Sequence, residues 1–218
     1  MHLEILVEDR SGKIILENIL KKISTSLSLN LTNRIHAYNG LGKLPKNLSK
    51  DKNPQIRALL SKLPMLLRGY GRSQGENSAV VIVMDSDNND CRMLKNELNK
   101  VLDSCLIPPK VAFCLAIEEM EAWLLGDRQA LLEAYPDAKT SVLDCYLQDS
   151  VCNTWEVLAD AITKEMSRGL KKSGYPEIGI RKCEWAEKIS PHMNIQNNSS
   201  QSFQHFVNKI TEFARQSA

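Results

Sequence analysis

Four short, predominantly apolar runs read as strands: Leu3–Val7, Arg34–Tyr38, Val80–Met84 and Val111–Ile117. Apolar positions that run on rather than alternate indicate strands covered on both faces, as in a parallel sheet. Between them the apolar spacing becomes helical. Ile15, Leu16, Ile19, Leu20 and Ile23 follow the first strand. Ile56, Leu59, Leu60, Leu63 and Leu67 follow the second, with a kink or break expected at Pro64. Met93, Leu94, Leu98, Val101 and Leu102 follow the third. Strands alternating with helices predict an α/β fold with a parallel four-stranded core sheet and flanking helices.

Beyond Glu118 the pattern is helical. Short helices are expected over Glu118–Leu125 and Asp127–Tyr135, with Asp127 as an N-cap. Residues 136–152 carry little pattern. A helix through Trp155, Leu158, Ile162 and Met166 is followed by an expected loop over Gly169–Gly179 and a short helix near Cys183–Ile189. Phe203, Phe206, Val207, Ile210 and Phe213 make an amphipathic terminal helix. Gly69–Glu76 reads as a loop entering the third strand. The expected organisation is an α/β domain over residues 1–126 and a helical extension over 127–218 packed on it.

Composition adds exclusions. The chain has 218 residues and a net charge of +2, too balanced to indicate nucleic-acid binding by itself. The longest strongly apolar run is only Ala79–Met84, so no membrane span is expected. The six cysteines form neither a Cys-x-x-Cys pair nor a zinc spacing, which points to reduced thiols and a cytoplasmic location. Tyr38, Tyr70, Tyr135, Tyr146 and Tyr175 read as packing residues, as do Trp123 and Trp155. Local charge is less even. Leu41 to Arg72 holds eight basic residues, among them Lys43 and Lys46, against Asp51. Glu118 to Asp137 holds six acids against Arg128.

Ligands of open α/β sheets bind at the carboxyl ends of the strands. Three of the expected strands end there in acids: Glu8-Asp9, Asp85-Ser86-Asp87 and Glu118-Glu119-Met120-Glu121. Three of these acids have an ordinary alternative. Asp9 and Glu118 suit helix N-termini, and Asp87 could cap a helix starting near Asn88. Clustered carboxylates cannot all ionise unless a positive charge neutralises them, and a hard divalent cation does so. In an extended segment Asp85 and Asp87 share a side. Helical geometry would pair Glu118 with Glu121, whereas a turn would pair Glu119 with Glu121. His36 lies near the end of the second strand and could approach the crevice, but none of the histidines has metal-ligand spacing.

The run Glu4-Ile5-Leu6-Val7-Glu8 and, two strands later, Val81-Ile82-Val83-Met84-Asp85-Ser86-Asp87 resembles the toprim (topoisomerase–primase) domain. Glu8, Asp85 and Asp87 match its Glu and Asp-x-Asp one by one. The segments Ala116–Asp127 and Arg181–Ala186 are similar to a bacterial family of toprim-like proteins related to the overcoming-lysogenization-defect (OLD) nucleases. The chain departs from toprim in having Asp9 where Gly usually follows the Glu, and Asn88-Asn89-Asp90-Cys91 where many have a Gly. It carries no zinc ribbon and no topoisomerase module. The resemblance implies a Rossmann-like core and a nuclease that cleaves phosphodiester bonds in DNA or RNA. Mg²⁺ or Mn²⁺ would be held by Glu8, Asp85 and Asp87, with Glu119 and Glu121, and less favourably Glu118, completing a second metal position or orienting its waters. Lys43, or else Lys46 or Arg10, would offset transition-state charge. It further implies a phage-defence role beside an ABC/AAA-type ATPase.

Other functions fit less well. A response receiver reaches its phosphorylated aspartate in about fifty residues, whereas Glu8 and Asp85 are 77 apart. A haloacid-dehalogenase-like phosphatase places its Asp-x-Asp after the first strand. A non-catalytic toprim-like protein that binds nucleic acid or an ATPase is the main alternative.

Overall fold

The computed structural model describes residues 1–45, 58–150 and 153–216. Ile56, Lys46 and part of the basic stretch around it lie outside the described residues. The strands β1 (His2–Val7), β2 (Thr32–Ala37), β3 (Ser78–Asp85) and β4 (Val111–Ala116) alternate with α1 (Arg10–Ser26), α2 (Leu59–Ser73) and α3 (Cys91–Asp103). They form one parallel sheet in the order β2-β1-β3-β4. The architecture is α/β and Rossmann-like.

Strand pleating divides the core. Leu3, Ile5 and Val7 of β1 and Ala79, Val81 and Val83 of β3 face α1, whose Ile15, Leu16, Ile19 and Ile23 are all buried. Leu6, Val80, Ile82 and Met84 point the other way, against α2 and α3. Covering both faces excludes water from β1, β3 and β4, and this explains their continuous apolar runs, whereas the edge strand β2 stays largely exposed.

The helices α4 (Glu121–Leu125), α5 (Arg128–Ala134), α6 (Thr140–Cys145), α7 (Thr154–Ile162), α8 (Met166–Ser173), α9 (Tyr175–Ile189) and α10 (Gln201–Arg215) complete the chain. Those contributing to the α1 side of the sheet share its apolar core. Trp123, with no exposed surface, sits between Phe203 and Phe206 at 5.5 and 5.4 Å and donates from Nε1 to Ser202 Oγ at 2.8 Å. The chain therefore crosses residue 126 without leaving the core.

Several local expectations are corrected. Helix α2 runs through Pro64 and on to Ser73, so the expected break and most of the Gly69–Glu76 loop are helix. Burial of Leu60, Leu63 and Leu67 on one face holds the helix together across the missing N–H. The expected Gly169–Gly179 loop is occupied by α8 and the first part of α9. Gly174, with φ of 85°, turns the chain between them, and Pro176 stands in the first turn of α9, where its missing N–H removes no helical bond. Residues 136–152 contain α6. Tyr175 is 84% exposed and so is not a core packing residue, whereas Trp123 and Trp155 are buried as expected. Among the described residues the cysteines are free. No helix among them is long and apolar enough to cross a membrane.

Candidate functional site

The strand order reverses direction between β1 and β3, because β2 lies to one side of β1 and β3 to the other. A crevice opens at such a switch point, at the carboxyl ends of the strands. Glu8 follows β1 and Asp85 ends β3, so the two straddle it.

The sequence builds this rim with backbone clasps. Asp9 caps α1, its Oδ1 accepting from Gly12 N at 2.8 Å while Ser11 Oγ donates to both its oxygens. A Cβ at Gly12 would lie 2.7 Å from both Val7 Cγ2 and Met120 Sδ, so only glycine lets α1 start this close to the sheet. After β3, Ser86 N donates to Ala116 O at 3.0 Å and Asp87 N to Glu118 O at 2.9 Å. Glu118 N returns a bond to Ser86 Oγ at 2.8 Å. Met120 N donates to Asp85 Oδ1 at 2.9 Å. The loops after β3 and β4 are thereby locked together, with Asp87 and Glu118 in left-handed backbone at φ of 45° and 65°. Such strain at non-glycine residues collects at functional sites.

The positive φ of Asp87 breaks the extended geometry expected for Asp85-Ser86-Asp87. Asp87 is exposed, while the Asp85 carboxylate is set deep in protein although the residue still meets some solvent. Asp87 is not a helix cap. Asp90 caps α3 instead, accepting from Arg92 N and Met93 N at 2.8 and 2.9 Å. Its ordinary alternative role is thus removed, whereas that of Asp9 is realised.

Glu8 is close enough to Asp85 to raise it and close enough to Asp87 to be raised by it. Burial, then the charges of Asp87 and Asp9, push the Glu8 carboxyl up to about 7. Burial, then Glu8 and Glu121, push Asp85 well above its ordinary value. Asp87 is raised by burial and by Glu119. Glu8 Oε2 is buried without a hydrogen-bond partner among the described residues. Lys182 pulls Asp85 and Asp87 down but does not cancel these shifts, so the counter-charge is incomplete.

The acids after β4 differ. Glu118 and Glu119 lie in the bend before α4 and Glu121 opens it, so no helix starts at Glu118. Lys182 Nζ from α9 reaches Glu119 Oε1 at 3.3 Å and Glu121 Oε2 at 3.1 Å. Glu119 Oε2 also accepts from Thr154 Oγ1 at 3.1 Å and Trp155 N at 3.0 Å, at the N-terminus of α7. Burial pushes Glu121 up to about 7 despite the lysine. Although burial pulls the Lys182 ammonium down, Glu121, Glu119 and Asp85 more than offset it and raise its pKa. Lys182 was not expected from motif reading. Its signal is positional, because it falls on the buried stripe of α9 formed by Ile178, Trp185, Ala186 and Ile189.

Among the described residues no group of three or more His, Cys, Asp or Glu side chains stands ready to hold a metal ion. The donor set is nevertheless suited to one. Glu8, Asp85 and Asp87 are hard oxygen donors only partly offset by Lys182, and Glu8 Oε2 has no hydrogen-bond partner among the described residues. Holding an ion would require these side chains to close around it. Glu119 and Glu121 are already partnered by Lys182. Lys43 lines a cleft of about 810 Å³ together with Asp87 and Lys100, and Arg10 lines a second, of about 1040 Å³, on the α1 side with Asp9. His36 does not approach the crevice. Its Nε2 pairs with Glu4 Oε2 at 2.7 Å, on the face that also carries Tyr70.

Residues 7–211 match the model of a family described as a domain of unknown function, DUF4276. The chain belongs to this family. No curated protein and no solved structure matches this DUF4276 chain. The DUF4276 match covers both the acid-bearing strand ends and Lys182.

Proposed function

We propose that this DUF4276 protein is a toprim-like, metal-dependent nuclease that cleaves phosphodiester bonds in DNA or RNA. The supporting observation is that Glu8 and Asp85, 77 residues apart in sequence, act on one another across the sheet's switch point and are both raised, although Lys182 acts on Asp85. A bound Mg²⁺ or Mn²⁺ would supply positive charge to the phosphoryl oxygens and lower the pKa of a coordinated water.

The chain's own residues then take distinct roles. Glu8, Asp85 and Asp87 would hold the ion. Met120 N fixes Asp85 by donating to Oδ1. Lys182 draws Glu119 and Glu121 into one ion-paired arrangement beside them. Lys43 and Lys100, in the cleft that reaches Asp87, would neutralise backbone phosphates of a bound strand. A cytoplasmic, phage-defence role beside an ATPase belongs to the same proposal and rests on the toprim and OLD resemblance.

One observation favours the non-catalytic alternative. Lys182 already neutralises two of the five acids, as in a structural ion pair. A screen of plasmid, single-stranded DNA and RNA with Mg²⁺ and Mn²⁺ decides between them. Cleavage by wild type that Asp85→Ala abolishes is the expected result. Intact nucleic acid in every arm, or full cleavage by Asp85→Ala, overturns the nuclease.

A further inference from the structure

The free edge of β4 is independent of the acid cluster. Lys110 O accepts from Val80 N, and Ala116 O accepts from Ser86 N. In the parallel pairing of β3 with β4, Ala112, Cys114 and Ala116 therefore turn their backbone groups inward, and Phe113, Leu115 and Ile117 turn theirs outward. Ser202 Oγ accepts from Ile117 N at 3.3 Å and closes the edge there. Nothing among the described residues pairs with the outward N–H and C=O of Phe113 and Leu115. An unpaired edge of this kind is a template for another strand.

Beside the edge lies a cleft of about 300 Å³ between α3 and α10, floored by Phe113, Leu115 and Ile117. Its rim carries two cations, Arg92 and Lys95 from α3, and His205 from α10, whose pKa burial and Lys95 hold below the ordinary value; all three are exposed. Lys95 and Lys209 also act on His205, whereas the nearby Glu212 is engaged by Lys209 at 2.7 Å. The opposite sheet edge, β2, presents exposed Thr32, Asn33 and Arg34 and has no such apolar floor.

We propose that the β4 edge is a docking site for an extended, acidic segment of a partner protein, which adds a fifth strand to the sheet. Backbone bonds to Phe113 and Leu115 supply the pairing, apolar side chains of the segment fill the cleft, and carboxylates meet Arg92 and Lys95. Self-pairing of two copies through β4 is disfavoured, because it would oppose two cationic rims.

The test uses two labelled eight-residue peptides, one alternating Glu with Val and the other Lys with Val. Binding is read by anisotropy, and hydrogen exchange of the Phe113 and Leu115 amides by NMR. The Glu–Val peptide should bind and protect both amides, and the Lys–Val peptide should not. Arg92→Glu with Lys95→Glu, both on the surface, should weaken binding at least tenfold with unchanged thermal unfolding. Failure of the Glu–Val peptide to bind, binding without protection of these amides, or equal binding of the Lys–Val peptide overturns the proposal. Equal protection by single-stranded DNA or by self-association also overturns it.

Discussion

The N–H of Asp87 donates to the carbonyl of Glu118 at 2.9 Å, and both residues hold left-handed backbone, with φ of 45° and 65°. One bond thus joins the loops that follow β3 and β4, each carrying acids of the candidate site. Aspartate tolerates this conformation at some cost, and asparagine tolerates it as well. The Asp87 carboxylate also raises its neighbour Glu8 by repulsion.

Asp87→Asn should therefore keep the clasp and remove a repulsive charge. The expected outcome at pH 8 without metal is unchanged or higher stability, by up to about 1 kcal/mol, on the scale of interactions between partly exposed charges. Urea unfolding measures it. Stabilisation by Mg²⁺ should be lost in the same variant.

Stability should also depend on pH in a definite direction. Glu8 titrates near 7 in the folded protein and near 4.5 when unfolded, so between these values the native state binds more protons. Metal-free protein is then most stable below about pH 4.5 as far as this group is concerned, and loses that contribution as pH rises to about 7. Glu8→Gln should flatten the fall in Tm over this window. A Tm that rises across it in wild type, with Glu8→Gln indistinguishable, contradicts the assignment.

Lys182 is the sole ion-pair partner of Glu121 among the described residues. Lys182→Met should strand a buried carboxylate and cost about 3–5 kcal/mol. Adding Glu121→Gln should recover much of that loss, because both charges are then gone. A double-mutant cycle by chemical denaturation reads the coupling.

Gly12→Ala tests the close start of α1. The added methyl meets Val7 and Met120 at 2.7 Å, and the expected cost is about 1–3 kcal/mol. Calorimetric unfolding checks it.

The strands β1, β3 and β4 were legible because burial on both faces leaves an unbroken apolar signature, as in Val80–Met84, whereas the edge strand β2 is largely exposed. Glu8, Asp85 and Asp87 were legible because each follows such a run. What local pattern hid has a physical cause in each case. Helix α9 contains Pro176 and Gly179, which read as loop residues until the position of the proline in the first turn is known. The pairing of Glu119 with Glu121, rather than Glu118 with Glu121, depends on the left-handed turn at Glu118 and on a lysine about 60 residues away. The pairing of His36 with Glu4, away from the crevice, is set by the register of β1 on β2.

The central claim is that Glu8, Asp85 and Asp87 act together on one divalent ion. Titration with Mn²⁺, followed by electron paramagnetic resonance, measures this directly. Wild type should bind Mn²⁺ competitively with Mg²⁺, and Asp85→Asn should weaken binding at least tenfold. Equal Mn²⁺ affinity in wild type, Asp85→Asn and Glu8→Gln would contradict the account.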